Sequence, residues 1–198
     1  MRIINSHLFS HTFASIAICA PLAAGAMPLL QVKDGILKGA KNVVVNAQNY
    51  DVTFNGGSCT EVFGVCALSS FYFRDFDTAQ AASQALIDQV FVDSAAGVFE
   101  RDSSLTNGCQ AYTSYCYVLT PVAIDGSVVI GGMATNYSGG ARSETARMFY
   151  RYTNEASVNL SYARWTVAPA ELPEPGSVAL LAIAFAGMRF SRRRHFSN

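Results

Sequence analysis

The sequence has little histidine and little charge. The scarcity of histidine excludes several common catalytic mechanisms. Its three histidines, His7, His11 and His195, all lie near an end of the chain, and charged residues make up 14% of the 198 positions. A middle region without histidine cannot use a Ser-His-Asp or Cys-His mechanism, and it lacks the usual ligands of a catalytic zinc. We therefore expect no catalytic residue, no bound metal and no cofactor there, and we expect the protein not to be an enzyme.

Positive charge is also scarce away from the termini. Residues 27–172 contain nine basic and thirteen acidic residues, while five of the fourteen basic residues lie at the ends, namely Arg2, Arg189, Arg192, Arg193 and Arg194. An acidic region without a basic stripe has few cations with which to neutralise phosphates. Nucleic acid is therefore not an expected partner.

Two pairs of adjacent glycines, Gly131-Gly132 and Gly139-Gly140, do not form a phosphate loop. They lack the lysine and the strand-to-helix context that such a loop requires. We expect them to interrupt strands instead.

The first 26 residues have the three parts of a secretory signal peptide. Arg2 gives a basic start, residues 8–24 are largely apolar, and small residues precede the bond between Ala26 and Met27. Signal peptidase cleaves after small residues of this kind. We expect residues 1–26 to be a signal peptide cleaved at that bond. An N-terminal anchor helix that stays attached is the alternative.

The other end carries a polar motif, an apolar stretch and a basic cluster, in that order. The motif is Pro173-Glu174-Pro175 within a proline-rich linker at 168–176, the expected short membrane helix covers 177–190, and Arg192-Arg193-Arg194 follow as a basic stop. The eleven apolar residues 178–188 span about 17 Å as a helix, against a hydrocarbon core of about 30 Å. The arginines should stay in the cytoplasm and leave the preceding domain outside. A tail of this form is typical of a signal that a transpeptidase removes.

These three parts, from Leu172 to Arg194, resemble the PEP-CTERM sorting domain. The resemblance rests on Pro173-Glu174-Pro175 with Gly176-Ser177 after it, on the Ala/Leu-rich stretch, and on the arginine cluster. Met188-Arg189-Phe190 places a charge early, and four residues extend beyond the arginines. The middle region is also similar to uncharacterised domains found ahead of such tails, notably in NYDVTFNGGSC and AASQALIDQVF.

The resemblance implies a route and a location, but no activity. It implies export from a Gram-negative bacterium, with signal peptidase and an exosortase-like transpeptidase as partners. The protein would be tethered to the inner membrane in transit and would end at the cell surface or in the extracellular matrix. An association with exopolysaccharide in a biofilm is a frequent companion of this tail. Because the tail is attached to many unrelated domains, it does not define what the domain at 27–167 does.

Four cysteines remain once Cys19 leaves with the signal peptide. They form two pairs with the same spacing, Cys59-x6-Cys66 and Cys109-x6-Cys116. An even number of cysteines in an oxidising compartment favours disulfides, and four cysteines allow three connectivities. We expect the two local pairs. A zinc site built from all four is the alternative, although six intervening residues are more than zinc clusters usually have.

The periodicity of residues 27–167 predicts an α+β domain, with an antiparallel sheet and one main packed helix. Predicted strands and hairpins are 31–54 with a turn at Asn46-Ala47, Phe71-Tyr72-Phe73, 115–135 with a turn at Asp125-Gly126, 146–152 and 158–167. The helix should begin at Asp77, with Gln80 completing a capping box, and run to about Val90.

Three interpretations of function remain open for this domain. A structural, adhesive or exopolysaccharide-associated role predicts an exposed row of tyrosines with Trp165, since amphipathic rings stack on sugars; the rings equally suit a sheet core. A glycan-active enzyme would use a carboxylate pair, Asp75 with Asp77 or Glu100 with Asp102, in one cleft with a raised pKa. A calcium-dependent binding module would use the same loop carboxylates as ligands.

Overall fold

The structure, a computed structural model, describes residues 27–112, 114–139 and 144–169, with only the backbone described at 144–148. Ala26, the rest of the predicted signal peptide, and the predicted sorting tail with Pro173, Glu174, Pro175 and Arg192–Arg194 lie outside these residues. Within them, no helix has the length and apolar character needed to cross a membrane.

The described residues form a large sheet, a small hairpin, two α-helices and two short 3-10 turns. The elements are β1 (Leu29–Lys33), β2 (Ile36–Val45), β3 (Gln48–Gly56), α1 (Cys59–Phe63), a 3-10 turn at Leu68–Ser70, α2 (Phe76–Gln89), β4 (Asp93–Ser94), β5 (Gly97–Val98), a 3-10 turn at Ser103–Leu105, β6 (Tyr115–Asp125), β7 (Val128–Tyr137), β8 (Glu144–Tyr152) and β9 (Leu160–Val167).

The large sheet has seven strands in the order β1-β2-β3-β9-β6-β7-β8. Adjacent strands in this sheet are antiparallel except for β6 and β9. These two pair in parallel through Tyr117–Leu160, Val118–Ser161 and Leu119–Tyr162. The chain leaves the edge strand β8 and returns to the centre of the sheet as β9. The predicted α+β class is confirmed, but the sheet is mixed rather than wholly antiparallel.

Three tight turns join the hairpins. Asn46 and Ala47 both have positive φ, 48° and 63°, between Val45 and its partner Gln48, so the turn predicted there is confirmed. Asp34-Gly35 forms a similar turn that the sequence interpretation did not single out. In the β6–β7 hairpin, Asp125 pairs with Val128, so the turn residues are Gly126 and Ser127. The hairpin was predicted correctly, but its turn lies one residue later than expected.

Helix α2 has its N-cap two residues earlier than the sequence indicated. Asp75 is the N-cap: its Oδ1 accepts a hydrogen bond from the Thr78 backbone N–H at 2.7 Å, and its backbone is extended. Asp77 lies inside the first turn. The prediction of Asp77 as cap is therefore wrong. Both aspartates are suitable N-cap residues, and Gln80, three residues after Asp77, favoured the one that lies inside the helix.

The main core lies between α2 and one face of the large sheet. The helix contributes fully buried alanines and Leu86, and the sheet contributes the large apolar residues of β2, β3, β6 and β9.

Gly132 lies within β7 beneath the helix, where an added Cβ would be 2.7 Å from the Ala79 carbonyl oxygen. Gly131 and Gly132 therefore do not interrupt a strand as predicted. The absence of a side chain at Gly132 permits α2 to pack directly on the sheet.

The opposite face of the sheet, here called the open face, is only partly covered. Helix α1 and the residues after it pack there on Leu119, Val129, Leu160 and Tyr162.

Phe71-Tyr72-Phe73 is not a strand, contrary to the prediction. Phe71 packs in the open-face cluster and Phe73 in the core under α2, so this segment passes from one side of the sheet to the other. Aromatic residues favour strands, but in a strand Phe71 and Phe73 would share one face, and here they are buried on opposite sides of the sheet.

Candidate functional site

Two disulfides close short loops on the sheet. Cys59 is joined to Cys66, with a Cα–Cα distance of 5.5 Å, and Cys109 is joined to Cys116, with a Cα–Cα distance of 5.6 Å. These are the two local pairs expected from the spacing. With their sulfurs bonded to each other, the four cysteines are not arranged as zinc ligands.

The first disulfide loop positions α1 on the open face. Ser58 and Glu61 form a capping box: the Ser58 hydroxyl accepts from the Glu61 backbone N–H, and the Glu61 carboxylate accepts from the Ser58 backbone N–H at 2.7 Å. These hydrogen bonds hold the pKa of Glu61 below its usual value. Cys59 anchors the start of the helix in the hydrophobic cluster of the open face, and Phe63 at its end packs on Tyr162 with ring centroids 5.8 Å apart.

A groove of about 390 Å³ lies on the open face, between α1 with residues 69–73 on one side and strands β3 and β9 on the other. Its lining includes Phe63 from α1, residues 69–73 between α1 and α2, Pro121 of β6 and residues 163–166 of β9. Pockets that bind small molecules commonly have volumes of about 300–1,000 Å³ and combine aromatic walls with a few polar groups. The groove is the candidate binding site of the described domain.

The polar side of the groove is produced by strand alternation. In β3, Val52 and Phe54 point into the core, which leaves Asp51 and Thr53 on the open face. In β9, the buried Trp165 likewise alternates with exposed Arg164 and Thr166. The two strands are in antiparallel register with Thr53 opposite Arg164 and Asp51 opposite Thr166. One carboxylate and one guanidinium therefore lie diagonally on one patch of sheet.

Both charged groups keep hydrogen-bonding capacity. Asp51 Oδ1 accepts from the Asn42 backbone N–H at 3.1 Å. Arg164 donates from Nη1 to the Val62 carbonyl at 3.4 Å and places its guanidinium carbon 5.5 Å from the Phe63 ring centroid. Among the residues that the structure describes, neither group forms an ion pair with an opposite charge. Both can therefore still bond to a ligand.

An aromatic cluster forms the end wall of the groove. Tyr72, Phe73 and Trp165 belong to the groove lining, and Tyr50, outside the lining, contacts all three. Phe73 also contacts Tyr72 and Trp165, and the ring centroids of all these pairs are 5.2 to 6.3 Å apart, mostly edge to face. Trp165 is only 5% exposed and its Nε1 donates to Thr120 Oγ1 at 3.2 Å. Tyr72 is 43% exposed. The ring available for stacking is therefore Tyr72, with Trp165 and Phe73 fixing its surroundings.

A second group of rings, here called the tyrosine row, lies on the open face near the start of β6. Its members are Tyr112, Tyr115, Tyr117, Tyr137 and Phe149, which are all partly exposed. Neighbouring centroids are 4.7 to 6.0 Å apart. The structure therefore contains a group of neighbouring rings, but they are partly rather than fully exposed, and Trp165 is buried away from them.

Two of the four carboxylates considered for catalysis or calcium binding, Asp75 and Asp102, have local structural partners. Asp75 caps α2, and the Thr78 backbone N–H lowers its pKa rather than raising it. Asp102 caps a 3-10 turn by accepting from Ser104 N and Oγ. Arg101 forms an ion pair with Asp93. Within the described part of the chain, no three His, Cys, Asp or Glu side chains are grouped to hold a metal ion.

The sequence interpretation named Trp165 and the aromatic run 71–73 but did not single out the polar residues of the groove, although a signal for them was present. Tyr50-Asp51-Val52-Thr53-Phe54 and Ala163-Arg164-Trp165-Thr166-Val167 both alternate, and the polar members of each share one face of a strand. What the alternation does not give is the pairing of β3 with β9, which are separated by more than a hundred residues.

No protein-family model, no curated protein and no solved structure matches the chain.

Proposed function

We propose that this chain is an exported envelope protein of a Gram-negative bacterium, with a non-enzymatic domain that has a structural, adhesive or exopolysaccharide-associated role. An exosortase-like transpeptidase processes its tail near Pro173-Glu174-Pro175 after signal peptidase has cleaved between Ala26 and Met27. The protein is held at the inner membrane in transit, and it ends at the cell surface or in the extracellular matrix.

The observation that carries the proposal is the pair of disulfides, Cys59–Cys66 and Cys109–Cys116. Disulfides persist in oxidising compartments, which for a bacterium means outside the inner membrane. Two such bonds in one small domain agree with the signal peptide and the sorting tail expected from the sequence. The disulfides, the expected signal peptide and the expected sorting tail all support a location outside the inner membrane.

The polysaccharide-associated role is supported by the aromatic surface of the open face. The tyrosine row offers partly exposed rings with apolar faces, and each of its four tyrosines carries a hydroxyl at the ring edge. Rings of this kind pack against the C–H faces of sugars while the hydroxyl remains hydrated. A domain that carries them outside the cell is suited to contact with the matrix.

The sorting step is tested by exchanging the motif prolines in the native host. A Pro173→Ala/Pro175→Ala variant should accumulate in the inner membrane with its tail attached, while the wild type is recovered from the surface or the medium. Pro169→Ala, a change of the same kind outside the motif, is the matched control and should behave as the wild type. Equal distribution of the motif variant and the wild type would contradict the proposal.

A further inference from the structure

The groove beside Trp165 combines three features that point to one chemical class of ligand. Its walls are aromatic, its floor carries hydroxyl groups from Thr53, Thr166 and residues 69–70, and it holds one carboxylate and one guanidinium. A ligand that matches this surface needs an apolar face and many hydroxyl groups together. Pyranose sugars have both.

The charges of the groove favour a neutral ligand over an ionic one. Asp51 and Arg164 are the charged residues of its lining and cancel each other in sign. Neither has an ion-pair partner in the described residues, so both remain available as hydrogen-bonding groups. A guanidinium offers five donors and a carboxylate offers about four acceptor sites, which suits the paired donor and acceptor character of sugar hydroxyls.

The position of Tyr72 completes the match. Its ring is 43% exposed and is held edge to face by Tyr50 at 5.5 Å and by Phe73 at 5.2 Å. A ring fixed by its neighbours loses little conformational entropy when a ligand stacks on it. Arg164 is likewise positioned over Phe63. The groove is therefore formed before any ligand arrives.

We propose that this groove is a binding site for a neutral oligosaccharide, with Tyr72 as the stacking ring and with Asp51 and Arg164 as the groups that bond its hydroxyls. This inference rests on the proposed exopolysaccharide-associated role and specifies the residues and the charge class of the sugar. The site is separate from the tyrosine row, whose rings do not line the groove.

The test uses the full chain, expressed with export so that its disulfides form and purified in mild detergent. The probes are cello-, malto-, manno- and chitotetraose, with a tetragalacturonate as the anionic comparison, and binding is measured by calorimetry and by ligand-observed NMR. We expect saturable millimolar or tighter binding of at least one neutral tetrasaccharide and weaker binding of the uronate. Absence of binding by every neutral probe, or a preference for the uronate, would overturn the proposal.

Variants assign the binding to the groove. Tyr72→Ala should weaken it about tenfold through loss of stacking, and Arg164→Ala should weaken it at least tenfold through loss of charge-assisted hydrogen bonds. Asp51→Asn keeps an acceptor for the Asn42 N–H but removes the charge, and should also weaken binding. Tyr152→Ala and Arg101→Ala, similarly exposed but outside the groove, should bind as the wild type does. Binding that survives all three groove changes contradicts the assignment.

The outcome is distinguishable from that of the sorting experiment. Oligosaccharide binding is measured on purified protein and does not depend on processing of the tail. A protein that binds neutral sugars through Tyr72 but keeps its tail in the native host would retain the groove assignment and refute the sorting route. A correctly processed protein that binds no neutral sugar would retain the sorting route and refute the groove assignment.

Discussion

The guanidinium carbon of Arg164 lies 5.5 Å from the centroid of the Phe63 ring, so β9 and α1 are in direct contact across the open face. A cation–π contact at an exposed site contributes about 0.5–1 kcal/mol. Phe63 belongs to the loop that Cys59–Cys66 closes, and both Phe63 and Arg164 line the groove. The first disulfide therefore stabilises one wall of the candidate binding site.

Removal of that disulfide should affect both stability and binding. A Cys59→Ser/Cys66→Ser variant should lose about 2–3 kcal/mol of unfolding free energy, because the unfolded chain gains freedom. It should also weaken oligosaccharide binding, because α1 is less firmly placed. Chemical denaturation and calorimetry measure the two effects.

The second disulfide provides the control. Cys109→Ser/Cys116→Ser should lower the unfolding free energy by a similar amount and leave groove binding unchanged, because the loop that this disulfide closes contributes no residue to the groove lining, whereas the loop closed by Cys59–Cys66 contributes Phe63. Equal loss of binding in both double variants would show that the effect follows from global destabilisation.

The N-cap of α2 can be assigned by two single changes. Asp75→Ala should destabilise the protein by about 1 kcal/mol, since the hydrogen bond to the Thr78 N–H is lost. Asp77→Ala should change stability by no more than a few tenths of a kcal/mol, as expected for a weak helix-dipole interaction. Thermal or urea unfolding at pH 7 compares them. The reverse order would mean that Asp77 is the cap.

The contribution of Asp75 should also depend on pH. Its folded-state pKa lies below the usual 3.8, so the charged cap stabilises the fold above that pH and the contribution is lost as the pH falls through the lower folded-state value. The difference in stability between the wild type and Asp75→Ala should therefore shrink in acid. A difference that stays constant from pH 7 to pH 2 would contradict this assignment.

Gly132 should not tolerate a side chain. A Cβ there would lie 2.7 Å from the Ala79 carbonyl oxygen, which is backbone and can move only with α2. Gly132→Ala should cost about 1–3 kcal/mol. Gly126→Ala meets no atom within 4 Å and carries only the strain of φ 58°, about 1 kcal/mol. Denaturant unfolding should rank Gly132→Ala as the more destabilising change.

Tyr162 should be the last tyrosine to ionise. Burial raises its pKa to about 12, and its hydroxyl has no hydrogen-bond partner among the described residues. The stabilising effect of keeping it neutral is present below pH 10 and is lost as the pH rises through about 12. Alkaline absorbance titration should show one late phenol that is absent from Tyr162→Phe.

Tyr162→Phe should also be harmless to stability. Since the change removes a buried hydroxyl that has no described partner, the unfolding free energy should stay the same or rise by up to about 1 kcal/mol. A loss of more than 1 kcal/mol would show that the hydroxyl makes a stabilising contact.

Local signals in the sequence predicted the local parts of this fold. The turn at Asn46-Ala47, the helix 76–89 and the hairpin around Gly126 are each encoded within a few residues. An error arose where a local rule favoured the wrong one of two suitable residues: Gln80 completes a capping-box pattern for Asp77, but Asp75 is the N-cap. The turn at Asp34-Gly35 carried a strong hairpin signal that was not used.

The non-local parts could not be obtained in this way. The parallel pairing of β6 with β9 and the antiparallel pairing of β3 with β9 depend on the packing of the whole sheet. Those two pairings place Asp51, Arg164 and Pro121 around one groove. The candidate site therefore follows from topology, and alternation in the sequence predicts only which face of each strand is polar.

The most direct test of the proposed export and sorting is the intact mass of the protein recovered from its native host, measured separately in membranes and medium. The proposal predicts a chain that starts at Met27, ends near Pro175 and lacks four cysteine hydrogens, with any added mass identifying what the transpeptidase attaches. A mass that retains Arg192–Arg194 in every fraction would contradict it and would define a permanently anchored protein.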